Sequence, residues 1–353
     1  MAPAVGLEPT TKRLTAARST TELRRSEGST DGAAPSTWAP SRRRAQDSTR
    51  RRSDSPGGYA EGVSPPSPLI SAEELLALVS SEAPDLRIVD VRWYLGRFGG
   101  GVTAYTSGHL PGAIHLDLDD DLADLDGYGA PGRHPLPAPD VFAAELGAAG
   151  IGDDDLVVAY DDAGGWIAAR LWWMLDVLGH ERVRVLDGGI QAWTAAGGEL
   201  ATEVPGWPPA ELHLADRWSR VIDRSQLRSR LGEIVLLDAR GEPRYRGEAE
   251  PVDPIAGHIP TARNAPVDGN LDGGRFRSPD ELAARFRDLG ADGSGPPVVV
   301  SCGSGTSALH HAVAMRLAGL PDPILYVGSY SDWSRSGEPV VTGPSPGDPP
   351  PAR

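Results

Sequence analysis

Cysteine is almost absent from this chain, since Cys302 is the only one among 353 residues. A single thiol cannot form an internal disulfide, which excludes a disulfide-stabilised fold and fits a reducing compartment. We therefore expect a cytoplasmic protein. Cysteine and histidine also form no cluster at metal-ligand spacing, so the sequence predicts no metal site, and we expect no other cofactor.

Long apolar segments and an excess of positive charge are also missing. No apolar run reaches the length of about 18 residues that a transmembrane helix needs, so we predict no membrane partner. Lysine and arginine number 34 against 49 aspartate and glutamate, which gives a net charge of −15. This balance argues against nucleic-acid binding by the folded part. A small anionic substrate would need local cationic side chains, because the field of the whole chain opposes it.

The amino-terminal segment differs from the rest in composition. Residues 1–62 carry a net charge of +4 and the remainder −19, and this segment is rich in Ser, Thr, Arg, Ala and Pro. Because it has no apolar periodicity, we predict a disordered extension over residues 1–66. An alternative is that translation starts at Val63. Ser71 would then cap the first helix, with Glu74 completing a capping box.

The remaining chain repeats itself after roughly 140–150 residues. Residues 88–92 match 236–240, 108–113 match 257–262, 156–160 match 297–301, and 185–193 match 325–333. Each half alternates apolar strands with helices, which predicts two α/β domains, each a parallel sheet flanked by helices. We place domain 1 at residues 67–203, a proline-rich linker at 204–217, domain 2 at 218–341 and a carboxyl-terminal tail at 342–353.

Cys302 lies between a predicted strand and a predicted helix. The apolar run 297–301 precedes it, a loop of small residues follows, and helical spacing begins at Leu309. Ligands of parallel sheets bind beyond the carboxyl ends of the strands, where backbone N–H groups and a helix dipole favour a thiolate. The repeat aligns Asp161 with Cys302, so we predict that domain 1 is non-catalytic. The alternative for Cys302 is a buried structural cysteine.

Taken together, the motifs resemble tandem-domain rhodanese-type sulfurtransferases over residues 68–341. They comprise two Asp-x-Arg units, two Gly-His-[Ile/Leu]-Pro turns, a Gly-Gly-Ile-Gln-Ala-Trp segment and a Cys-Gly-Ser-Gly loop in the second half only. The resemblance implies that the Cys302 thiolate takes sulfur from a small anionic donor and becomes a persulfide. The sulfur then passes to cyanide or to a thiol such as thioredoxin or a low-molecular-weight thiol.

The resemblance also implies the residues of the site. Cys302 corresponds to the sulfur carrier, and Arg244 to the residue that grips the donor; the alternative is a surface arginine paired with Glu248 or Glu250. The backbone amides expected to cradle the sulfur belong to Gly303, Ser304, Gly305, Thr306, Ser307 and Ala308. Ser307 is further expected to cap the following helix.

Two details concern the donor. Gly303 and Ser304 are uncharged where thiosulfate-using members carry cations, which favours 3-mercaptopyruvate, with thiosulfate as the alternative. Members that use 3-mercaptopyruvate are also expected to carry a second arginine shortly after Arg244. It is missing here, and Arg246 is a candidate substitute.

A proton relay of serine, histidine and aspartate is implied for some members. Ser304 and His109 match two of its positions, while no acid is visible between Trp93 and Gly108. A structural role for His109 stays open, because His258 occupies the same place in the second half.

Other functions on a Cys302 loop are less consistent with the sequence. A phosphatase would need an arginine at the position of Ala308 to hold phosphate. A cysteine protease would need a partnering histidine, and His310 and His311 are expected to be exposed or packed instead. A catalytically inactive binding module with this fold stays open as an alternative.

Overall fold

The computed structural model describes residues 66–125 and 131–351, and it contains the two predicted parallel sheets. The first sheet has the order β1-β5-β4-β2-β3, and every pair in it is parallel. Its strands are β1 (Leu69–Ile70), β2 (Leu86–Asp90), β3 (Ile114–His115), β4 (Leu156–Tyr160) and β5 (Val183–Leu186). Its helices are α1 (Ala72–Ser80), α2 (Gly100–Ser107), α3 (Pro139–Ala148), α4 (Ala168–Val177) and α5 (Gly189–Ala195).

The second sheet repeats this order as β6-β12-β11-β7-β8. Its strands are β6 (Val221–Ile222), β7 (Val235–Asp238), β8 (Arg263–Asn264), β11 (Val298–Ser301) and β12 (Ile324–Tyr326). Its helices are α6 (Arg224–Arg230), α7 (Glu242–Arg246), α8 (Pro279–Asp288), α9 (Leu309–Leu317) and α10 (Ser329–Trp333). A small antiparallel hairpin of β9 (Leu271–Asp272) and β10 (Arg275–Phe276) is inserted before α8.

The two sheets share one continuous hydrophobic core. Side chains alternate along each strand, so Val157 of β4 and Val300 of β11 point into the shared core, while Val158 and Val299 point into separate outer cores. Helices α4 and α9 pack against each other in this shared layer. The loops that follow the central strands β4 and β11 lie at the interface between the domains, since His310 Nε2 contacts the Gly164 carbonyl at 3.1 Å and Arg170 donates to the Gly305 carbonyl at 3.3 Å.

The repeated turns brace each sheet in the same way. Arg92 binds Asp90 through two nitrogens and donates from Nη2 to the Gly108 carbonyl at 2.8 Å. Arg240 does the same with Asp238, and donates to the Gly257 carbonyl at 2.7 Å. These ion pairs are buried, so they fix where each chain segment enters its turn.

Several local predictions can be compared with the structure. The capping box is confirmed, since Glu74 N–H donates to Ser71 Oγ at 3.1 Å and Ser71 N–H donates to Glu74 at 2.9 Å. The expected cap by Ser307 is wrong, because α9 begins after Ala308 and has no side-chain cap. The predicted disordered extension and the start at Val63 lie outside the described residues, apart from Pro66.

The predicted linker follows the surface of domain 1. Trp207 donates from Nε1 to the Gly112 carbonyl at 3.1 Å, and its ring lies 4.2 Å from the Arg87 guanidinium. The predicted carboxyl-terminal tail packs on domain 2 in the same manner, since Thr261 N–H donates to the Pro346 carbonyl at 2.6 Å. Both segments thus add contacts to the domain that they adjoin.

Candidate active site

Cys302 follows β11 directly and opens the cysteine loop, residues 302–308, which leads into α9. Its side chain is buried, and Sγ accepts a hydrogen bond from Gly305 N–H at 3.2 Å. Gly305 has φ +80°, and a β-carbon there would lie 2.5 Å from the Val327 carbonyl oxygen. Only glycine fits both constraints, so the loop curls back on the sulfur at this position.

The start of α10 holds the cysteine loop from the other side. Cys302 N–H donates to Ser329 Oγ at 3.1 Å, and Cys302 C=O accepts from Tyr330 N–H at 3.0 Å. Ser331 N–H donates to the Gly303 carbonyl at 2.9 Å. These bonds use the inner backbone groups of the loop and fix the position of the thiol.

Ser304 contacts a histidine that sequence reasoning did not identify. Its Oγ lies 2.7 Å from His134 Nδ1, and His134 Nε2 lies 3.0 Å from Asp119 Oδ1. The Oγ1 atom of Thr306 lies 3.4 Å from the same Nδ1. Trp93 donates to the other Asp119 oxygen at 2.8 Å and packs edge-on against the histidine ring.

The protonation of this chain follows from its surroundings. Burial lowers the pKa of His134 from its usual value, and the hydrogen bond from His134 lowers the pKa of Asp119. The carboxylate can only accept, which assigns the proton of the neutral ring to Nε2. His134 Nδ1 is then free to accept from the Ser304 hydroxyl, and Ser304 Oγ can take up a further proton as it gives its own away.

His109 does not take part in this arrangement. Its Nδ1 contacts the Tyr105 carbonyl at 2.8 Å, its Nε2 contacts the Glu203 carbonyl at 3.0 Å, and its ring stacks on Tyr105. His258 stacks on Tyr245 in the same way in domain 2. The structure therefore gives His109 the structural role of its turn, and the histidine beside Ser304 is His134.

Arg244 lies at the cysteine loop as expected, with two acidic partners. Its Nη2 binds Glu250 at 2.7 Å and Asp253 at 3.3 Å, and its side chain is about a quarter exposed. Arg246, the candidate substitute for a second arginine, pairs with Glu242 and Glu248 instead. The second guanidinium near the loop is that of Arg133, from domain 1, which also binds Asp253.

A third arginine near the cysteine loop, Arg170, also comes from domain 1 and is buried behind the loop. Arg170 of α4 donates to the carbonyls of Leu122 at 2.7 Å, His134 at 3.1 Å and Gly305 at 3.3 Å. Burial lowers its pKa to about 10, which leaves the guanidinium charged at neutral pH. It therefore ties the His134 segment to the cysteine loop and adds positive charge behind the sulfur.

The equivalent loop of domain 1 begins at Asp161, as the repeat predicts. We call residues 161–167 the aspartate loop. The buried Asp161 carboxylate accepts four backbone hydrogen bonds of 2.8–3.0 Å. They come from Ala163, Gly165, Ile167 and Ala168. Burial raises the pKa of this carboxyl, and the four amides oppose that shift. The aspartate loop thus contains its own anion, so this loop offers neither a thiol nor an open cradle.

His310 and His311 are packed rather than exposed or catalytic. Both are fully buried, and Nδ1 of each contacts Asn270 Nδ2 at 3.0 Å. Their Nε2 atoms contact the Gly164 and Ala265 carbonyls at 3.1 and 2.9 Å. His310 thereby links α9 to the aspartate loop of the other domain.

Within residues 66–125 and 131–351, no group of three or more His, Cys, Asp or Glu side chains could hold a metal ion. Over the same residues, no helix combines the length and the apolar character needed to cross a membrane.

The protein-family model of the rhodanese-like domain matches the chain twice, at residues 71–196 and 223–336. The chain belongs to the rhodanese family of sulfurtransferases. The fold class predicted from the repeat is thereby confirmed. The assignment as a sulfurtransferase is confirmed by the relatives that follow.

This chain matches two sulfurtransferase relatives over nearly the whole length of each relative. A Pseudomonas aeruginosa protein named "Probable 3-mercaptopyruvate sulfurtransferase" is 43% identical, over 78% of this chain and 98% of the relative. A Mycobacterium tuberculosis protein named "Putative thiosulfate sulfurtransferase SseB" is 40% identical, over 75% and 93%. The crystal structure of SseA from Escherichia coli, described among 3-mercaptopyruvate sulfotransferases, superposes with a TM-score of 0.66 at 30% identity, over 75% of this chain and all of SseA.

Proposed function

We propose that this sulfurtransferase takes sulfur from 3-mercaptopyruvate, carries it as a persulfide on Cys302 and passes it to a thiol or to cyanide. The observation that supports this most directly is the contrast between the two loops. In the aspartate loop, four amides converge on a carboxylate. In the cysteine loop, Gly305 is the one residue of the described part of the chain that donates to the sulfur.

The amides of Ser304, Thr306 and Ala308 correspond to three of the four that bind Asp161. Within the described residues, these three donate to no protein acceptor. Because the repeat aligns them with amides that converge on the Asp161 carboxylate, we infer that they face the space next to Sγ. The outer sulfur of a persulfide is an anion, and converging N–H groups are suited to hold one.

In the proposed reaction, Ser304 carries one proton from the donor thiol to the carbon that loses sulfur. The Cys302 thiolate attacks the sulfur of the donor, an S–S bond forms, and the C–S bond breaks. Its electron pair stays on the methylene carbon, which gives the enolate of pyruvate. The proton of the donor thiol passes through Ser304, with His134 and Asp119 as its partners, to that carbon. The products are a deprotonated persulfide and pyruvate.

This proton transfer is the physical reason for preferring 3-mercaptopyruvate. Thiosulfate leaves as sulfite, which needs no proton at carbon, so a relay would serve no step of its reaction. The uncharged Gly303 and Ser304 agree with the same donor. Thiosulfate stays the second candidate, because two guanidinium groups, of Arg133 and Arg244, lie beside the loop and would suit a dianion.

The acceptor and the cytoplasmic location stay predictions. A buried cysteine on a loop at a domain interface fits a small acceptor or an exposed thiol that reaches into it. Thioredoxin and low-molecular-weight thiols have that character.

A side-by-side steady-state assay with 3-mercaptopyruvate and thiosulfate tests the donor. We expect kcat/KM to be higher for 3-mercaptopyruvate, and a preference for thiosulfate of about tenfold or more would contradict the proposal. Intact mass spectrometry after either donor tests the carrier. The wild-type protein should gain one sulfur atom, and Cys302→Ser should gain none while keeping its melting temperature. A sulfur adduct on Cys302→Ser would contradict the assignment of Cys302.

A further inference from the structure

Two guanidinium groups from different domains converge on the residue after the nucleophile. A β-carbon at Gly303 would lie 2.8 Å from Arg133 Nη2 and 3.4 Å from Arg244 Nη1. Arg133 reaches this point from the domain 1 segment that also supplies His134. Arg244 reaches it from α7 of domain 2. The absence of a side chain at Gly303 leaves this space open.

Each of the two arginines has an unused edge at this point. Arg133 binds Asp253 through Nη1, and Arg244 binds Glu250 and Asp253 through Nε and Nη2. Arg133 Nη2 and Arg244 Nη1 donate to no acceptor among the described residues. Arg133 Nε is buried and likewise has no partner. Unused donors of two guanidinium groups thus face the same space above the cysteine loop.

Asp253 positions both groups. Its buried carboxylate binds Arg133 and Arg244, and also Arg335 at the rim. Three guanidinium groups against the carboxylates of Asp253 and Glu250 leave the cluster with a net positive charge. The chain as a whole carries a net charge of −15, which opposes the approach of an anionic substrate. The positive charge of this cluster attracts such a substrate locally.

We propose that Arg133 is a specificity-determining residue supplied by domain 1, which forms an oxyanion clamp together with Arg244. The clamp holds the carboxylate of the sulfur donor over Gly303, so that the donor sulfur faces Cys302. Guanidinium forks bind planar oxyanions through paired hydrogen bonds, and two forks fix the direction of the bound group as well as its position. The identity of the donor rests on the proposed function; the clamp itself requires only a donor with an anionic oxygen group.

A pair of donors that differ in the carboxylate alone tests the clamp. 3-Mercaptopyruvate carries it, whereas 1-mercaptopropan-2-one has the same thiol and ketone without it. For Arg133→Gln we expect KM for 3-mercaptopyruvate to rise about ten- to a hundredfold, because an interaction made in the ground state is lost. Persulfide formation from 1-mercaptopropan-2-one, followed by mass in single turnover, should stay within about twofold of wild type.

Arg246→Gln is the matched control, since that arginine lies on the same helix as Arg244 and pairs only with Glu242 and Glu248. Arg246→Gln should change neither the KM for 3-mercaptopyruvate nor the persulfide formation from 1-mercaptopropan-2-one. Equal losses on both donors for Arg133→Gln would show that Arg133 merely braces the domains through Asp253, and an unchanged KM for 3-mercaptopyruvate would also overturn the clamp.

Two further experiments cover the cases in which Arg133→Gln does not fold or the wild-type protein does not use 3-mercaptopyruvate. If Arg133→Gln fails to fold, Arg133→Lys keeps the positive charge beside Asp253 but removes the second edge of the fork, and the same selective loss is expected. If the wild-type protein uses thiosulfate and not 3-mercaptopyruvate, the donor proposal has failed. The clamp then requires that KM for thiosulfate rise at least about tenfold in Arg133→Gln, and it is wrong if KM does not.

Discussion

His134 of domain 1 lies 2.7 Å from the hydroxyl of Ser304, across the interface between the domains and 170 residues away in the chain. If this pair moves a proton during transfer, its loss should depend on the donor. We expect His134→Asn to lower kcat for 3-mercaptopyruvate by roughly a hundred- to ten-thousandfold, the usual contribution of general acid–base catalysis. Steady-state kinetics measure this directly.

Thiosulfate provides the internal control for that variant. Its leaving group takes no proton at carbon, so the loss should be much smaller with thiosulfate as donor. Ser304→Ala and Asp119→Asn should behave alike, and combining either with His134→Asn should add little, since the three act as a unit. Equal losses with both donors would point to a purely structural role for the histidine.

Gly305→Ala should damage both the loop and the chemistry. The new methyl group would meet the Val327 carbonyl at 2.5 Å in a backbone conformation that favours glycine. We expect a loss of about 1–3 kcal/mol in the free energy of unfolding and at least a tenfold loss in kcat/KM. Gly319→Ala is the control: φ is also positive, at +69°, but no atom lies within 4 Å. It should cost stability alone, and equal kinetic losses in the two variants would argue against a special role for the Gly305 turn.

Asp161→Ala should destabilise the protein without changing its chemistry. Four backbone amides, three of them buried, would lose their acceptor, at a cost of about 3 kcal/mol or more in the free energy of unfolding. Urea denaturation measures this cost. Persulfide formation per folded molecule should remain within about twofold of wild type, because the reacting thiol lies in the other loop. A large fall in persulfide formation would mean that the aspartate loop takes part in catalysis.

His310 and His311 should make the protein sensitive to acid. Burial lowers the pKa of His310 to about 4 and that of His311 to about 3, below the value of roughly 6.5 in an unfolded chain. Between these values the unfolded chain binds more protons, so stability is complete above about pH 6.5 and is lost as the pH falls below it. Each histidine contributes on the order of 1 kcal/mol per pH unit.

Free energies of unfolding at several pH values from 7.5 to 5 test this linkage. The double variant His310→Gln, His311→Gln should show a shallower pH dependence than wild type, even if it is less stable at pH 7.5. His213→Gln serves as the control, because the hydrogen bond with Asp153 raises the pKa of this exposed histidine, so its loss should not make the pH dependence shallower. Identical slopes in the double variant and wild type would rule out the buried pair as the acid-sensitive element.

The features that the sequence predicts correctly are local ones. Alternating apolar strands and helices, and their repetition, are sufficient for two parallel sheets, and the alignment of Asp161 with Cys302 follows from the same strand–loop–helix pattern. The Ser71 capping box is likewise fixed by residues three positions apart. Each of these depends on contacts between neighbours in the chain.

The features that escape prediction depend on how the two domains dock. Asp119, Arg133 and His134 lie in a stretch without helical or strand periodicity, so no local pattern assigns them a place. One signal was available: this stretch follows β3, whose carboxyl end lies at the same sheet edge as that of β4, where ligands bind. The family resemblance pointed instead to His109, although the recurrence of its turn in both halves already indicated a structural role. A motif that recurs in both halves belongs to the structure that the two domains share, whereas the contact between His134 and Ser304 forms only once, between the domains.

The interface also orders the assembly of the enzyme in time. Domain 1 leaves the ribosome first and carries His134, Asp119 and Arg133, the groups of the proposed relay and clamp. Cys302 meets these groups only once domain 2 has been synthesised and has docked. We therefore expect persulfide chemistry to begin only after docking, and a chain whose domains have not docked to carry its thiol without partners from domain 1.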